Sequence, residues 1–368
     1  MNTMEQVRGC LLGGAVGEAL GTPVDAMAWP AIQLAYGPLG IGDLVLPSDN
    51  AQRSENTQML LFTADGLLRA FVRNSTQGTC HVPSMIHESL LRWRQAQGYA
   101  MQVEVAANGW LVEQRSLWVQ RDADRDFPRA LALSSRLGAP ADNFSKGCSG
   151  LMRAAPCAFF GNAFAYAADS AHLTHGHPSG YLAAGLFADI LQRLVGNENS
   201  LEHAITQSLA THGTRPGMTE VKAMVERALF YFYENYRPTP ERIAALGSGH
   251  NAEEALAIGL WCALMADDFE VGVINAVNHS GNSSGTGQVA GHVLGLQRGV
   301  RCIPSRWLGR LEMRDVLERM AVDLHRVPRE FCGVGLDGDK AIERDYPTGF
   351  VGAILEKGKP RHIKIGGL

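Results

Sequence analysis

From Met4 to Leu20 apolar residues recur at helical spacing, and Gly9, Gly13, Gly17 and Gly21 place a small residue at every fourth position. The same interval returns late in the chain. There Val289, Val293 and Leu296 mark one helix face, and Gly287, Gly291 and Gly295 mark another. An interior glycine weakens a helix by roughly 1 kcal/mol relative to alanine. Two stripes of them therefore predict two helices whose backbones approach closely. The late helix is preceded by a polar, glycine-rich loop from Asn278, in the sequence NHSGNSSGTGQVAG, which marks a candidate ligand site.

Between the stripes, helix follows helix. Thr22-Pro23 breaks the first, and a Pro/Gly-rich loop is expected from Trp29 to Arg53. Ser54 to Asn74 is the clearest helix, with Leu60, Ala64, Leu67, Leu68 and Phe71 on one face, Ser54 as N-cap and Glu55 suited to the positive end of the dipole. Further helices are expected at Pro83–Gln97, Ala100–Glu113, Pro128–Leu137, Tyr181–Val195, Glu202–Leu209, Met218–Tyr233 and Ala252–Met265, with a buried core helix from Leu151 to Ala168. No stretch before Val327 alternates with the period of a strand. The pattern predicts an all-α bundle over residues 1–327, followed by a polar, weakly patterned extension over 328–368 that reads as an appended arm.

Composition narrows the class. The 368 residues are 46% hydrophobic with a net charge of −4, enough for a large core and no general reason for nucleic-acid or anionic-membrane binding. Seven scattered cysteines with no CxxC pair predict neither a disulfide framework nor a zinc ribbon, and fit a reducing cytoplasm. The longest apolar run contains Arg153, Pro156, Gly161 and Asn162, which argues against a membrane span. His172, His175 and His177 match no standard zinc spacing.

Five segments, in order, resemble the ADP-ribosylglycohydrolase family, which includes the dinitrogenase-reductase-activating glycohydrolases. They are Gly9–Asp25 (GCLLGGAVGEALGTPVD), Ser54–Ala70 (SENTQMLLFTADGLLRA), Ser145–Pro156 (SKGCSGLMRAAP), Leu173–Tyr181 (LTHGHPSGY) and Asn278–Gly291. The resemblance implies an orthogonal multi-helix bundle with a cleft holding two Mg²⁺ or Mn²⁺ ions, which orient ADP-ribose while its anomeric bond to an acceptor is broken. It implies catalytic roles for Glu18 and Asp25, the latter as a general acid/base, and ligand contacts for Lys146, Gly147, Cys148, Ser149, Gly150 and His175. Glycine-rich loops entering a helix offer backbone N–H groups to a diphosphate.

The metal positions depart from that pattern. The family's first pair of aspartates corresponds to Glu55 and Asn56, its last pair to Asn282 and Ser284, and a following hydroxyl to Gly285. Ser54 and Thr286 remain as oxygen donors. Hard divalent cations are held by carboxylates, so the expectation is no metal, or a single weakly held Mg²⁺. His250 and Asn251, and the segment Ala123–Asp126, also differ from the family's usual residues near the cleft. The expected function is a catalytically impaired pseudohydrolase that binds ADP-ribose, an ADP-ribosylated target or an ADP-ribosyltransferase, in an immunity or regulatory role. The alternatives are an active metal-dependent ADP-ribosyl hydrolase, a metal-free one working through Asp25, and a purely structural role.

Overall fold

The structure is a computed structural model describing residues 3–45, 55–101, 103–121, 126–134, 136–196, 200–333, 335–348, 352–356 and 359–362. Helices dominate. The chain begins with α1 (Thr3–Gly21), α2 (Trp29–Tyr36), α3 (Asn56–Gln77) and α4 (Val82–Ala96). It continues through α5 (Asp126–Leu133), α6 (Ser149–Met152), α7 (Ala163–His172), α8 (Pro178–Leu194), α9 (Leu201–His212) and α10 (Thr219–Tyr233). It ends with α11 (Pro240–Ala244), α12 (Ala252–Leu264), α13 (Phe269–Val277), α14 (Ser283–Arg298), α15 (Ser305–Leu308), α16 (Arg314–Glu330) and α17 (Asp337–Asp345).

The two glycine stripes meet each other. α1 and α14 pack antiparallel, with Gly9 against Gly295, Gly13 against Gly291, Gly17 against Gly287 and Gly21 against Ser283. A Cβ added to Gly17 would lie 2.0 Å from the Gly287 carbonyl oxygen, and one on Gly291 would lie 2.1 Å from that of Gly13. No side chain fits in that seam. Gly14 makes room for the His292 imidazole, whose Nδ1 lies 2.8 Å from the Cys10 carbonyl oxygen. The pair is thereby a rigid central post, and the start of α14 is fixed relative to the end of α1.

Several elements differ from the sequence reading, each for a local reason. Trp29–Tyr36 is a helix where a loop was expected, since Pro30 in a first turn lacks only an N–H the helix does not use. The expected Ala100–Glu113 helix is instead strand β1 (Val103–Val105) followed by turns. Val103 and Val105 are buried, and Gly109 has a φ of 89° with its backbone against Arg69, which a helix could not accommodate. β1 pairs antiparallel with β2 (Gly352–Glu356), and β2 with β3 (Lys359–His362), so a small sheet sits on the helical body. The Leu151–Ala168 run is not one helix: Pro156 opens a 3-10 segment at Ala155–Phe159, and a break at Gly161-Asn162 precedes α7. α5 ends at Leu133, short of the expected Leu137.

The C-terminal region is also more integrated than an arm. α16 continues to Glu330, and Ile342 and Tyr346 join the main core. The Tyr346 hydroxyl donates to Asp323 at 2.7 Å, and Arg69 donates to the Pro347 carbonyl at 2.8 Å. No helix among the described residues is long and apolar enough to cross a membrane.

Candidate functional site

The start of α14 gathers residues from four parts of the chain. Asn282 is its N-cap, and Oδ1 accepts the Gly285 N–H at 2.8 Å. The other end of the same amide, Nδ2, donates to Cys148 Sγ at 2.8 Å. The Ser284 hydroxyl donates to Asp25 Oδ2 at 2.9 Å, and the Ser284 N–H lies 3.4 Å from Asp25 Oδ1. Asp25 is a surface residue, yet its carboxyl is packed against the helix start. Burial raises its pKa above the usual Asp value, opposed by the Ser284 hydrogen bonds and by the nearby His250.

Thr286 is committed to structure. Its hydroxyl donates to the Ala276 carbonyl at 2.6 Å, with the Asn282 carbonyl at 2.9 Å. With that proton used, His279 Nε2, 2.9 Å away, is the donor to the Thr286 oxygen. Burial pushes His279 down to about 4.

Glu18 lies one turn before the end of α1 and is fully buried. Its carboxylate accepts both the hydroxyl and the N–H of Thr57, in the first turn of α3. The N-cap position is Glu55, which makes no side-chain cap, and Ser54 lies outside the described residues. The Thr57 donors at the α3 start are therefore met by a carboxylate from another helix, a placement the α3 dipole favours. Glu55 and Asn56, which precede Thr57 in the chain, are buried. A continuous path joins the two clusters: the Thr22 hydroxyl donates to the Glu18 carbonyl, and the Asp25 N–H to the Thr22 carbonyl.

The loop before α6 differs from the anion cradle expected of it. The Gly147 N–H donates to Ser145 Oγ at 3.2 Å, and the Cys148 N–H to the His250 carbonyl at 3.1 Å. Gly147 also bridges Asn251 in antiparallel fashion. Those backbone donors are used internally. Lys146 turns outward, its Nζ 2.5 Å from Glu220 Oε2. Ser149 hydrogen-bonds His175 Nε2 at 3.0 Å, and His175 Nδ1 meets Thr174 Oγ1 at 2.8 Å. His175 is fully buried beside Arg153, and its pKa falls to about 3, chiefly by desolvation. Gly150 allows this packing, since a Cβ there would lie 2.8 Å from Ala171 Cβ and 3.1 Å from His175 Nδ1. His177 caps α8, accepting the Ser179 N–H at 3.2 Å, and His172 stacks on Tyr181.

The structure thus unites Asp25, Asn282, Ser284 and Cys148, seats Glu18 on Thr57, which follows Glu55 and Asn56 in the chain, and pairs Lys146 with Glu220. Of Ala123–Asp126, only Asp126 is described, at the start of α5. Among the described residues, no group of three or more His, Cys, Asp or Glu side chains is arranged to hold a metal ion. At the start of α14 the side-chain oxygens are the Asn282 amide and the Ser283, Ser284 and Thr286 hydroxyls, each engaged with a protein partner, with the Asp25 carboxyl against Ser284.

Two organising residues were not singled out from sequence. Glu254 accepts the N–H groups of Ser248 and Gly249, at 3.1 and 3.0 Å, and the Asn251 amide at 3.0 Å, shaping the turn beneath Asn282. The spacing Asn251-x-x-Glu254 is a helix-start signal that could have located it. Glu220 carries no comparable signal, because its partners, Lys146 and Ser179, are distant in sequence.

Comparison with known proteins identifies the lineage. The sequence model of the ADP-ribosylglycohydrolase family matches residues 1–331. An ADP-ribosyl-[dinitrogen reductase] glycohydrolase of Rhodospirillum rubrum is 24% identical over 321 residues, covering 84% of this chain and 91% of that protein. An uncharacterized protein of Archaeoglobus fulgidus is 22% identical over 344 residues, covering 88% of this chain and 97% of its own. A solved ADP-ribosylglycohydrolase-related protein complex shares the fold, with a TM-score of 0.62 at 22% identity over 89% of this chain and 99% of that one.

Proposed function

The chain belongs to the ADP-ribosylglycohydrolase family, and on that premise we propose that it is a pseudohydrolase, binding ADP-ribose or an ADP-ribosylated macromolecule without the family's dimetal chemistry. The observation that carries this reading is the start of α14. Asn282 and Ser284 stand where the resemblance places aspartates, and they close a hydrogen-bonded network with Gly285, Cys148 and Asp25 in which Asp25 is the acidic member. Two cations in that cleft would face each other's repulsion with little carboxylate charge to offset it. The function that remains is recognition of an ADP-ribosylated target or of the ADP-ribosyltransferase that makes it, as an immunity or regulatory protein. We place it in the cytoplasm, where unpaired cysteines persist.

Calorimetry with Mg²⁺ and with ADP-ribose, beside an assay for ADP-ribose release from modified arginine, tests this. ADP-ribose binding that needs no metal supports it. Tight binding of two cations, or turnover of about 1 s⁻¹ or faster, sinks it. One observation favours a second reading. Asp25 pairs a raised pKa with a place at the surface, the properties of a general acid/base in a metal-free hydrolase. Slow release in the presence of a chelator, lost in Asp25→Asn, would select that reading.

A further inference from the structure

Lys146 is the cationic side chain that adjoins Gly147 and Cys148 in the loop before α6, and the backbone N–H groups of Gly147 and Cys148 are already bonded within the protein. The Lys146 ammonium would strengthen attraction for an anion entering this loop. In the structure that ammonium is held away. It sits on Glu220, in the first turn of α10, and the same Glu220 oxygen accepts the Ser179 hydroxyl at 2.5 Å. Both partners are substantially exposed, at 32% and 48% of their side-chain surface. Exposed pairs of this kind contribute about 0–1 kcal/mol, so the contact is breakable by a modest competing interaction.

A second acceptor lies on the inner side. The Ala252 N–H donates to the Lys146 carbonyl at 2.9 Å, which puts Glu253 next to the Lys146 backbone at the start of α12. Glu253 is 6% exposed, and its Oε2 is buried with no hydrogen-bond partner among the described residues. Lys146 is close enough for its charge to favour the ionised Glu253 carboxyl, against the burial that opposes it. A buried carboxylate oxygen lacking a donor is costly, and an inward Lys146 would supply one.

We propose that Glu220 is a positioning residue that parks Lys146 outward in the free protein, and that a diphosphate-bearing ligand draws Lys146 inward to lie between Glu253 and the phosphates. The proposal rests on the ADP-ribose-binding reading above. Glu220 then lowers affinity by competing for the cation, and Glu253 favours the competent position.

Three variants and two probes decide it. Glu220→Gln is expected to bind ADP-ribose and inorganic pyrophosphate about twofold to fivefold more tightly at low salt, the gain shrinking as salt rises. Lys146→Met is expected to weaken both, and the double variant to show no gain. Glu253→Gln is expected to weaken both ligands without changing the melting temperature on the scale of a core mutation. The ligand-independent readout is acylation of Lys146 by an amine reagent, followed by peptide mass spectrometry. It should be faster in Glu220→Gln and slowed by pyrophosphate. Unchanged or weaker ligand affinity in a folded Glu220→Gln overturns the proposal, as does a gain that persists in the double variant. If the natural chain binds neither ligand, the ADP-ribose reading fails, and Lys146 reactivity unaltered by Glu220→Gln would then refute the tether separately.

Discussion

The Ser284 hydroxyl donates to the Asp25 carboxylate across 259 positions of sequence, at 2.9 Å. That contact ties the loop after α1 to the first turn of α14. It also puts an acidic group against a helix start that has no acidic residue in its own first turn. The positive end of the α14 dipole here faces a carboxylate of the same chain.

Asp25 makes stability depend on pH with a definite sign. Its folded pKa is raised, so the folded state holds the proton more tightly than the unfolded chain. Stability linked to this group is full below the ordinary Asp value near 3.9 and is lost as pH rises through the raised folded value. Asp25→Asn should therefore gain in melting temperature relative to the natural chain between pH 4 and pH 7. A constant difference across that range would contradict the assignment.

Restoring acids should restore a cation site if the scaffold is intact. The combined variant Glu55→Asp, Asn56→Asp, Asn282→Asp and Ser284→Asp is expected to give saturable Mg²⁺ heats by calorimetry and a higher melting temperature with Mg²⁺ than with a chelator. A folded variant indifferent to Mg²⁺ would show that the backbone around these positions no longer suits metal.

The seam between α1 and α14 predicts a steep cost for one methyl group. Gly291→Ala would drive a Cβ to 2.1 Å from the Gly13 carbonyl oxygen, backbone that cannot turn aside. We expect a loss of about 3 kcal/mol or more in denaturant unfolding. Gly161→Ala, with nothing within 4 Å of its added Cβ, should stay within about 0.5 kcal/mol of the natural chain.

C-terminal docking should depend on Arg69. Its guanidinium pairs with buried Asp65 at 2.7 Å and donates to the carbonyls of Asn108 and Pro347. Arg69→Met leaves the Asp65 carboxylate unpaired in the core, at about 3–5 kcal/mol. Limited proteolysis should then cut near residue 346 much faster. Tyr346→Phe, which removes the donor to Asp323, should cost about 1–3 kcal/mol.

Buried histidines should make the protein acid-sensitive. Burial pushes His87, His279 and His292 down to about 4 and His175 to about 3. Folded, they stay neutral while the unfolded chain takes up protons near pH 6.5. Their stabilisation is present above that pH and falls by about 1.4 kcal/mol per unit for each histidine as pH drops toward the folded value. Urea midpoints at pH 7 and pH 5 check this, and equal midpoints would refute it.

Where a feature of this protein is set by neighbours along the chain, it was readable from residues alone. The face of α3 and the two glycine stripes follow from spacings of three and four, because one helical turn brings such residues together. Misreadings arose where a partner lies far away. Val103–Val105 becomes a strand through pairing with residues 352–354. The α3 start is served by Glu18 of α1, the Asp25 carboxyl finds its donor on α14, and Lys146 is drawn off by Glu220. Periodicity states which face of a helix is buried and leaves open what covers it. Only closure of the chain decides which polar groups meet.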